Sequence, residues 1–551
     1  MTEQKRSNSN FIRQGSILAA ASIISRVIGL LYRVPLNAIL GDKGAGYYGT
    51  AFDIYTLMLL ISSSSLPLAV SKLVSARASK GAIKDAYKTF KCALGFGLFM
   101  GIAVCLAVWF GADFFAGTLL KTPYAVYAVK VLAPTLVIVA VLGVLRGFFQ
   151  GLGTMLPSAI SQVIEQIINA VVSVVAAYIL FGRGLVVGTI LGDAEGYSAA
   201  YGAAGGTLGT CIGAVAGLLF VAFVFAVFNK PMRKMFRKDK VSVRESFGVI
   251  LKALVLTVIP VLLSTTLYNL NSIIDQGVFK NLSLARGVSG DDIDVWWGVF
   301  TGNFKVLINV PISIAAAMAA SSVPAITASF GNGDLDDVRS KVALGIRYIM
   351  IIAFPCTVGL FILSTPVMQF LFPKNSVELA GSMMRMGVIC VVFYCMSSLT
   401  NGILQGINKM IKPVIHAVIA LVVQLIFMVI LMQFDMGIYA LINANTFFAL
   451  IMCVLNSISI WRELDYKQEL LNTFLKPLGA SAAMGLVVYF VYAGLNAILG
   501  NAIAVCVSIA VGAVIYLGVM LLVRGMDEDI LAAFPGGTRL ISLCRKLKLL
   551  Q

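Results

Sequence analysis

The sequence predicts an all-α membrane protein that crosses the bilayer about fourteen times. Of its 551 residues, 59% are hydrophobic and only 12% are charged, and the mean hydropathy is +0.93. Soluble domains usually contain about 25% charged residues. Because a helix needs about 20 residues to cross a bilayer, the chain has room for a dozen or more spans and for no sizeable soluble domain.

Apolar stretches separated by glycine, proline and charged residues predict fourteen helices. They lie near residues 16–40, 47–77, 88–115, 124–152, 157–182, 198–228, 246–279, 295–330, 338–365, 377–407, 412–435, 437–461, 473–499 and 500–524. The first stretch is too long for a signal-peptide core and carries Arg26 at its centre, so we expect it to remain as a spanning helix.

The basic residues indicate membrane topology rather than nucleic-acid binding. The net charge is +17, but lysine and arginine cluster in short segments between the apolar stretches. With the N-terminus inside, the inner segments hold 29 of these residues, and the outer segments hold six, namely Lys43, Lys121, Arg183, Lys280, Arg286 and Lys374. Since inner loops carry the positive excess, both termini are predicted to be cytoplasmic, and no nucleic-acid partner is expected.

An internal repeat divides the helices into two lobes. Residues 146–157, RGFFQGLGTMLP, recur as residues 401–413, NGILQGINKMIKP, with the pattern G-x-x-Q-G-[LI]-x-x-M followed by proline. The match pairs helix 4 with helix 10, so two six-helix lobes are expected, related by a pseudo-two-fold axis along the membrane normal. The predicted domains are an N-lobe at 1–228, a basic cytoplasmic linker at 229–245, a C-lobe at 246–461, and helices 13 and 14 with a basic cytoplasmic tail at 462–551.

Three cations inside the predicted helices are candidates for a substrate site. A charge at the centre of a membrane helix costs about 2.5–3.5 kcal/mol, so it normally faces a cavity or a partner. Arg26 and Arg33 are seven residues apart on helix 1, hence on one face and about 10 Å apart, and Lys305 lies at a comparable depth in helix 8. Together they suit an anion with several oxygens, such as a phosphate. The structural alternative is that Arg33 pairs with Asp53 of helix 2 and that Lys305 reaches the interface.

A second candidate site would hold a cation. Asp275, near the outer end of helix 7, and the side chains of Asn271, Asn443 and Thr446 offer the oxygen ligands that hard cations take. The alternative is that Asp275 is an ordinary acidic residue at the water interface.

Other polar and small residues indicate packing. Arg146 and Glu165, near the inner ends of helices 4 and 5, are expected to neutralise each other. Helix 6 carries glycines at 205, 209, 213 and 217, a G-x-x-x-G ladder that allows close helix packing. His416 is the only histidine, so a histidine proton relay has little support.

Catalytic signatures are missing from the sequence. It contains no H-E-x-x-H, no P-loop and no G-x-S-x-G with partners, and its nine cysteines form no C-x-x-C pair and indicate no metal site. A predicted outer loop at 280–294 contains Asp291, Asp292 and Asp294, which raises the alternative of a membrane glycosyltransferase. So short a loop leaves little room for a donor and an acceptor, and we predict that the protein is not an enzyme.

Helix 1, the lobes and the paired Gln-Gly motifs resemble a known family. The stretch SRVIGLLYRVPLNAILG at 25–41 is similar to the multidrug/oligosaccharidyl-lipid/polysaccharide (MOP) exporter superfamily, most closely to its MurJ and stage V sporulation protein B branch. The resemblance implies a flippase that moves lipid II, the undecaprenyl-diphosphate-linked peptidoglycan precursor, from the inner to the outer leaflet of a bacterial plasma membrane. It implies alternating access of two lobes and no cofactor.

The resemblance also assigns residues. Arg26 and Arg33 are similar to the family's cavity arginines, and Lys305, six residues before Pro311, takes the place of its helix 8 cation. The spacing of seven between the arginines is six in the MurJ branch, lysine replaces arginine at 305, and 62–65 are serines where a further cavity arginine is expected. The family's polyprenyl-tail groove maps to 478–524, and its sodium site maps to Asp275 and Thr446.

We therefore expect a flippase for a polyprenyl-diphosphate-linked glycan lipid, most specifically lipid II. One rival is an exporter of another polyprenyl-linked polysaccharide unit, and a second is a cation-coupled multidrug antiporter, against which the helix 1 arginines argue. Coupling to a Na⁺ or H⁺ gradient or to the membrane potential stays open. We expect a monomer surrounded by membrane lipids, with docking to cell-wall synthases as an open alternative.

Overall fold

The computed structural model describes residues 2–239, 241–242 and 245–526, and these residues are predominantly helical, with no β-strand among them. The helices are α1 (Thr2–Leu59), α2 (Leu66–Ala78), α3 (Ile83–Ala112), α4 (Val126–Gly151), α5 (Leu156–Leu191), α6 (Ala194–Lys238), α7 (Phe247–Ala285), α8 (Gly290–Val299), α9 (Lys305–Gly331), α10 (Leu335–Ile362), α11 (Ser364–Leu371), α12 (Val377–Gly387), α13 (Cys390–Gly406), α14 (Ile411–Met432), α15 (Ile438–Leu464), α16 (Lys476–Leu499) and α17 (Asn501–Leu522). The predicted all-α membrane fold is thus confirmed.

Fewer helices of the described chain qualify as membrane spans than the fourteen predicted. Among the described residues, eleven helices are long and apolar enough to cross a membrane, or twelve if α12 and α13, which meet at 55°, form one span. Each predicted segment is helical, but the count of fourteen spans is not confirmed. Predicted helices 1 and 2 form one stretch, Ala20–Ala78, and the apolar part of α7 that qualifies, Phe247–Ile259, is short.

The junction between predicted helices 1 and 2 is a kink and not a loop. Helix α1 continues through the predicted gap at 41–46, and only Gly41 leaves the helical conformation, with φ 65° and ψ −175°. A residue with a side chain rarely adopts this positive φ, whereas glycine does so readily. Lys43, which the sequence placed in an outer loop, consequently lies within a helix.

The chain divides into two compact units, Met1–Gly302 and Asn303–Gln551. The first unit contains α7 and α8 in addition to the predicted N-lobe. The lobes predicted at 1–228 and 246–461 therefore stay a prediction. Residues 240 and 243–244 of the predicted linker, and 527–551 of the predicted basic tail, lie outside the described residues.

The glycine ladder of α6 packs closely against α5 in the first unit. A Cβ atom at Gly205 would lie 2.5 Å from the Ala176 carbonyl oxygen, and one at Gly213 would lie 2.6 Å from the Glu165 carbonyl oxygen. No side chain fits at these distances, so the two helices approach along their backbones. The predicted packing role of the ladder is confirmed.

The two copies of the sequence repeat form the same turn. Helix α4 ends at Gly151, and the amide of Gly153, at φ 83°, donates to the Gln150 carbonyl at 3.0 Å. In the second unit, α13 ends at Gly406, and the amide of Asn408, at φ 60°, donates to the Gln405 carbonyl at 3.1 Å. Glycine and asparagine are the residues that most readily adopt this left-handed conformation.

Helices α16 and α17 pack against each other and against α10 in the second unit. Met484 and Met520 belong to one buried apolar cluster with Ile351 of α10, and the Tyr516 hydroxyl donates to the Ile351 carbonyl at 2.8 Å. Leu486 and Phe490 are exposed on the other face of α16. The predicted tail groove at 478–524 thus lies on helices with an outward apolar surface, and its role stays a prediction.

Candidate functional site

The two arginines of α1 lie in its part before the kink at Gly41. Arg26 is exposed, and Arg33 is half-buried. Arg33 lies among the hydroxyls of Tyr32 and Tyr48, which are 3.3 Å apart, and within the electrostatic influence of Asp53. The structure therefore brings Arg33 and Asp53 into one neighbourhood, as the structural alternative requires, and leaves Arg26 exposed.

Asp53 belongs to a polar contact between α1 and α7. Its Oδ2 accepts a hydrogen bond from Ser272 Oγ at 3.1 Å. One turn earlier, Thr50 Oγ1 lies 2.6 Å from Gln276 Nε2, which donates to it, and both of these side chains are fully buried. These bonds hold the part of α1 after the kink against α7, and no pattern in the sequence predicted them.

Lys305 belongs to the second unit. It is half-buried and begins α9, directly after an irregular helical turn at Phe300–Phe304. The hypothesis that Lys305 shares an anion site with Arg26 and Arg33 stays a prediction.

The residues of the predicted cation site lie on two helices of different units. In the first unit, Asp275 of α7 is buried, and the buried amide oxygen of Asn271 accepts no hydrogen bond from the residues that the structure describes. In the second unit, α15 carries Asn443, which donates to the Tyr439 carbonyl at 2.9 Å, and Thr446, which donates to the Ile442 carbonyl at 3.0 Å. Each residue keeps an oxygen that can accept a cation, and the site stays a prediction.

A buried ion pair was missed by the sequence analysis. The outer loop predicted at 280–294 is wrong, because α7 extends to Ala285 and α8 begins at Gly290. Lys280 is fully buried, and its ammonium lies 2.6 Å from Asp294 Oδ1 and 2.6 Å from Thr122 Oγ1. The pair ties α7, α8 and the segment before α4 together within the first unit.

Acidic side chains at helix starts surround Lys43. Its ammonium, mostly buried, lies 3.2 Å from Glu195 at the start of α6 and 3.2 Å from Asp291 at the start of α8. Asp292 accepts a hydrogen bond from Ser289, the N-terminal cap of α8, at 2.7 Å. Carboxylates at helix N-termini stabilise the helix dipole. Asp291 and Asp292 thus have structural partners, which weakens the glycosyltransferase alternative.

The predicted pairing of Arg146 with Glu165 is confirmed. Arg146 lies 2.8 Å from Glu165 Oε2 and also donates to Ser161 Oγ at 2.9 Å. His416 is buried, with Nδ1 2.7 Å from Asn456 Oδ1 and Nε2 3.2 Å from Ser459 Oγ. The histidine thus belongs to a network between α14 and α15.

The described part of the predicted linker is attached to the turn between α2 and α3. Asp239 accepts hydrogen bonds from the Lys84 amide at 2.7 Å and from Ser242 Oγ at 2.6 Å, and Arg77 pairs with Glu245. Burial opposes ionisation of Asp239, but these hydrogen bonds hold the pKa of its carboxyl well below its usual range. The carboxylate is therefore charged at neutral pH and holds the linker to this turn.

A polytopic fold with cations in its apolar helices is typical of a membrane transporter for charged cargo. The solved structure of lipid II flippase MurJ in an inward closed conformation matches 92% of this chain and 98% of its own, with a TM-score of 0.66 and 16% identity. An inward-facing multidrug resistance MATE family transporter of the MOP superfamily matches 80% of this chain and 95% of its own, with a TM-score of 0.61 and 16% identity. The chain thus shares the multi-pass helical fold of these two membrane proteins.

The chain belongs to the polysaccharide biosynthesis protein family, whose model matches residues 11–330, and lies in the MurJ-like branch of the superfamily. A MatE model matches residues 304–430. Lipid II flippase MurJ of Bacillus subtilis (strain 168) is 27% identical over 415 residues, which are 73% of each chain. Stage V sporulation protein B of the same organism is 28% identical over 141 residues, 26% of this chain and 27% of that protein. The predicted resemblance is confirmed.

Proposed function

We propose that this protein is a flippase that moves an undecaprenyl-diphosphate-linked glycan precursor, specifically lipid II, from the inner to the outer leaflet. The observation that carries the proposal is the pair of arginines on one face of the membrane-embedded α1, with Arg26 exposed. A guanidinium binds phosphate oxygens bidentately, and its cost in a membrane is offset when a charged cargo faces it. The MurJ relative in Bacillus subtilis, which is a lipid II flippase by name, supports the same substrate class.

In the proposed cycle, Arg26 and Arg33 bind the diphosphate, and Lys305 adds a third positive charge from α9. Tyr32 and Tyr48 limit the directions in which Arg33 can move, because their hydroxyls lie beside it. The lobes then rock around the bound head group, and the cargo shifts their equilibrium only as far as its affinity differs between the two states. The predicted topology places both termini in the cytoplasm. The linker held by Asp239 then lies on the side from which the cargo is loaded.

A second candidate cargo is another polyprenyl-linked polysaccharide unit. The match to the polysaccharide biosynthesis protein family favours it, and the same cationic residues suit its diphosphate. A multidrug antiporter is the weaker alternative, because Arg26 and Arg33 repel the cationic compounds that such a site would have to attract.

Complementation tests the proposal. A bacterium whose essential lipid II flippase is depleted receives wild type, Arg26→Ala, Asp292→Asn or Arg183→Ala, expressed at equal levels. The Arg183→Ala variant is a matched control, because it removes an exposed arginine near the C-terminal end of a different helix, α5. The Asp292→Asn variant tests the enzyme alternative.

Growth with wild type and both controls, and none with Arg26→Ala, is the expected result. If a well-expressed wild type does not restore growth, lipid II is refuted as the cargo and another polyprenyl-linked glycan takes its place. Growth with Arg26→Ala would refute the role of the α1 arginines. The amount of lipid-linked precursor in the depleted cells is measured in parallel, since a failed flippase leaves it to accumulate.

A further inference from the structure

A cavity of about 340 Å³ lies in the second unit, where α15 ends at Leu464. It is bordered by α10, α13, α15 and the non-helical segment 465–469 that leads towards α16. A volume of this size is at the lower end of those that hold small ligands. None of the residues considered above as a substrate or cation site borders it.

The composition of the wall is that of a membrane interface. Ile346 and Ile458 form an apolar side. Trp461 lies in the last turn of α15, and Tyr466 and Lys467 lie in the segment that follows this helix. Tryptophan, tyrosine and lysine are the residues that anchor helix ends at the level of lipid head groups. Trp461 and Ile458 are 51% and 39% exposed, so the apolar wall continues into the outer surface of the unit. A ligand from the bilayer can thus enter the cavity sideways.

Two polar groups of the wall lack a partner. The Tyr466 hydroxyl and the Gln468 amide nitrogen are screened from solvent and make no hydrogen bond within the described chain. Leaving such groups unsatisfied costs about 1–3 kcal/mol each, which a ligand with acceptor oxygens would recover. Burial, helped by the charge of Glu469, raises the pKa of Tyr466 to about 12, so the hydroxyl keeps its proton at neutral pH. It remains able to donate.

Lys467 supplies a positive charge at the same place. It is exposed and takes part in no ion pair among the residues that the structure describes, whereas the neighbouring Glu469 is engaged by Asn472. An ammonium, a phenol and an amide N–H beside an apolar wall match a phosphodiester that is attached to a hydrocarbon chain.

We infer that this cavity binds one membrane phospholipid, with its phosphate at Tyr466, Lys467 and Gln468 and its upper acyl chain against Ile346 and Trp461. The inference does not depend on the proposed function, since binding is measured on the purified protein without transport.

The bound lipid would also stabilise the packing of the second unit. Thr400 of α13 borders the cavity, and its hydroxyl accepts a hydrogen bond from Asn456 of α15 at 3.0 Å. Asn456 in turn bonds His416 of α14. Three helices therefore meet through one buried polar network at the back of the cavity, and a ligand there stabilises them by mass action.

Native mass spectrometry of the full chain in detergent, titrated with dioctanoyl phosphatidylglycerol, tests the inference. The variants are Tyr466→Phe, Lys467→Gln and their combination. The matched control is Arg462→Gln, which removes an exposed cation from the last turn of α15 that does not border the cavity. We expect one tightly bound lipid, affinity about tenfold lower in the double variant, and wild-type affinity in the control.

Two further arms separate the outcomes. A chain-brominated phosphatidylglycerol should quench the part of the emission that Trp461→Phe removes, and millimolar inorganic phosphate should not displace the lipid. Equal losses in Arg462→Gln and the double variant, or no loss in either, would overturn the site. Displacement of the lipid by inorganic phosphate would contradict the inference that the ligand is a phospholipid, and would indicate a site for a soluble phosphate. Unfolding temperatures without lipid show whether each variant is folded.

Discussion

Replacing Lys280 with methionine should strongly destabilise the first unit. The buried ammonium lies 2.6 Å from Asp294 Oδ1. At an effective dielectric constant of about 20, charges at this distance attract by about 6 kcal/mol, and the desolvation of both groups offsets part of this. Removing the lysine alone leaves the Asp294 carboxylate buried without its cation. A loss of this kind costs about 3–5 kcal/mol.

The assay is the apparent unfolding temperature of the purified protein in one detergent, followed by tryptophan fluorescence. With about 2–4 °C per kcal/mol for a unit of this size, Lys280→Met should unfold on the order of 10 °C below wild type. Because exchanging both partners of a buried pair is often nearly neutral, Lys280→Met combined with Asp294→Asn should recover more than half of the loss. A single variant within about 2 °C of wild type, or a double variant no more stable than the single, would refute this reasoning.

Two further predictions concern packing and pH. Gly209→Ala should lower the unfolding temperature, because its Cβ would lie 2.5 Å from the Ser173 backbone nitrogen. Gly95→Ala on α3 has nothing within 4 Å of its Cβ, so it should be neutral or gain up to about 1 kcal/mol of stability. Equal unfolding temperatures for the two variants would contradict the packing role of the glycine ladder. A carboxyl whose pKa is lowered by folding stabilises the folded protein at any pH above the pKa that it has in the unfolded chain, and this stabilisation is lost as the pH falls. The difference in unfolding temperature between wild type and Asp239→Asn should therefore be constant from about pH 5 to 8 and narrow below about pH 4, and a difference that widens in acid would contradict the assignment.

The helices were predictable because each apolar stretch carries its own signal. Every predicted segment is helical, since a membrane helix satisfies its backbone hydrogen bonds internally and does not depend on distant residues. The boundaries failed where polar residues continue a helix. Lys43 and Lys280 follow apolar runs and are close to acidic residues, which is typical of a loop, yet both lie within helices.

The partners of polar residues were predictable only over short distances along the chain. Arg146 and Glu165 lie on consecutive helices joined by a short turn, and their pairing followed from that proximity. Asp53 and Ser272 are 219 positions apart, and Lys280 and Thr122 are 158 apart. Hydropathy contains no information about which distant helices meet, so these contacts required the structure.

The matching turns after Gly151 and Gly406 show what a duplicated chain must preserve. One copy places glycine at the left-handed position and the other places asparagine, so the joint has kept its backbone handedness while its side chain has changed. A substitution at either position must therefore first be compatible with a positive φ, whatever its effect on the cargo, and a β-branched residue would destabilise the turn in either copy. The common ancestry of the two halves would thus remain recognisable from the conformation of these turns after most identical residues have been lost.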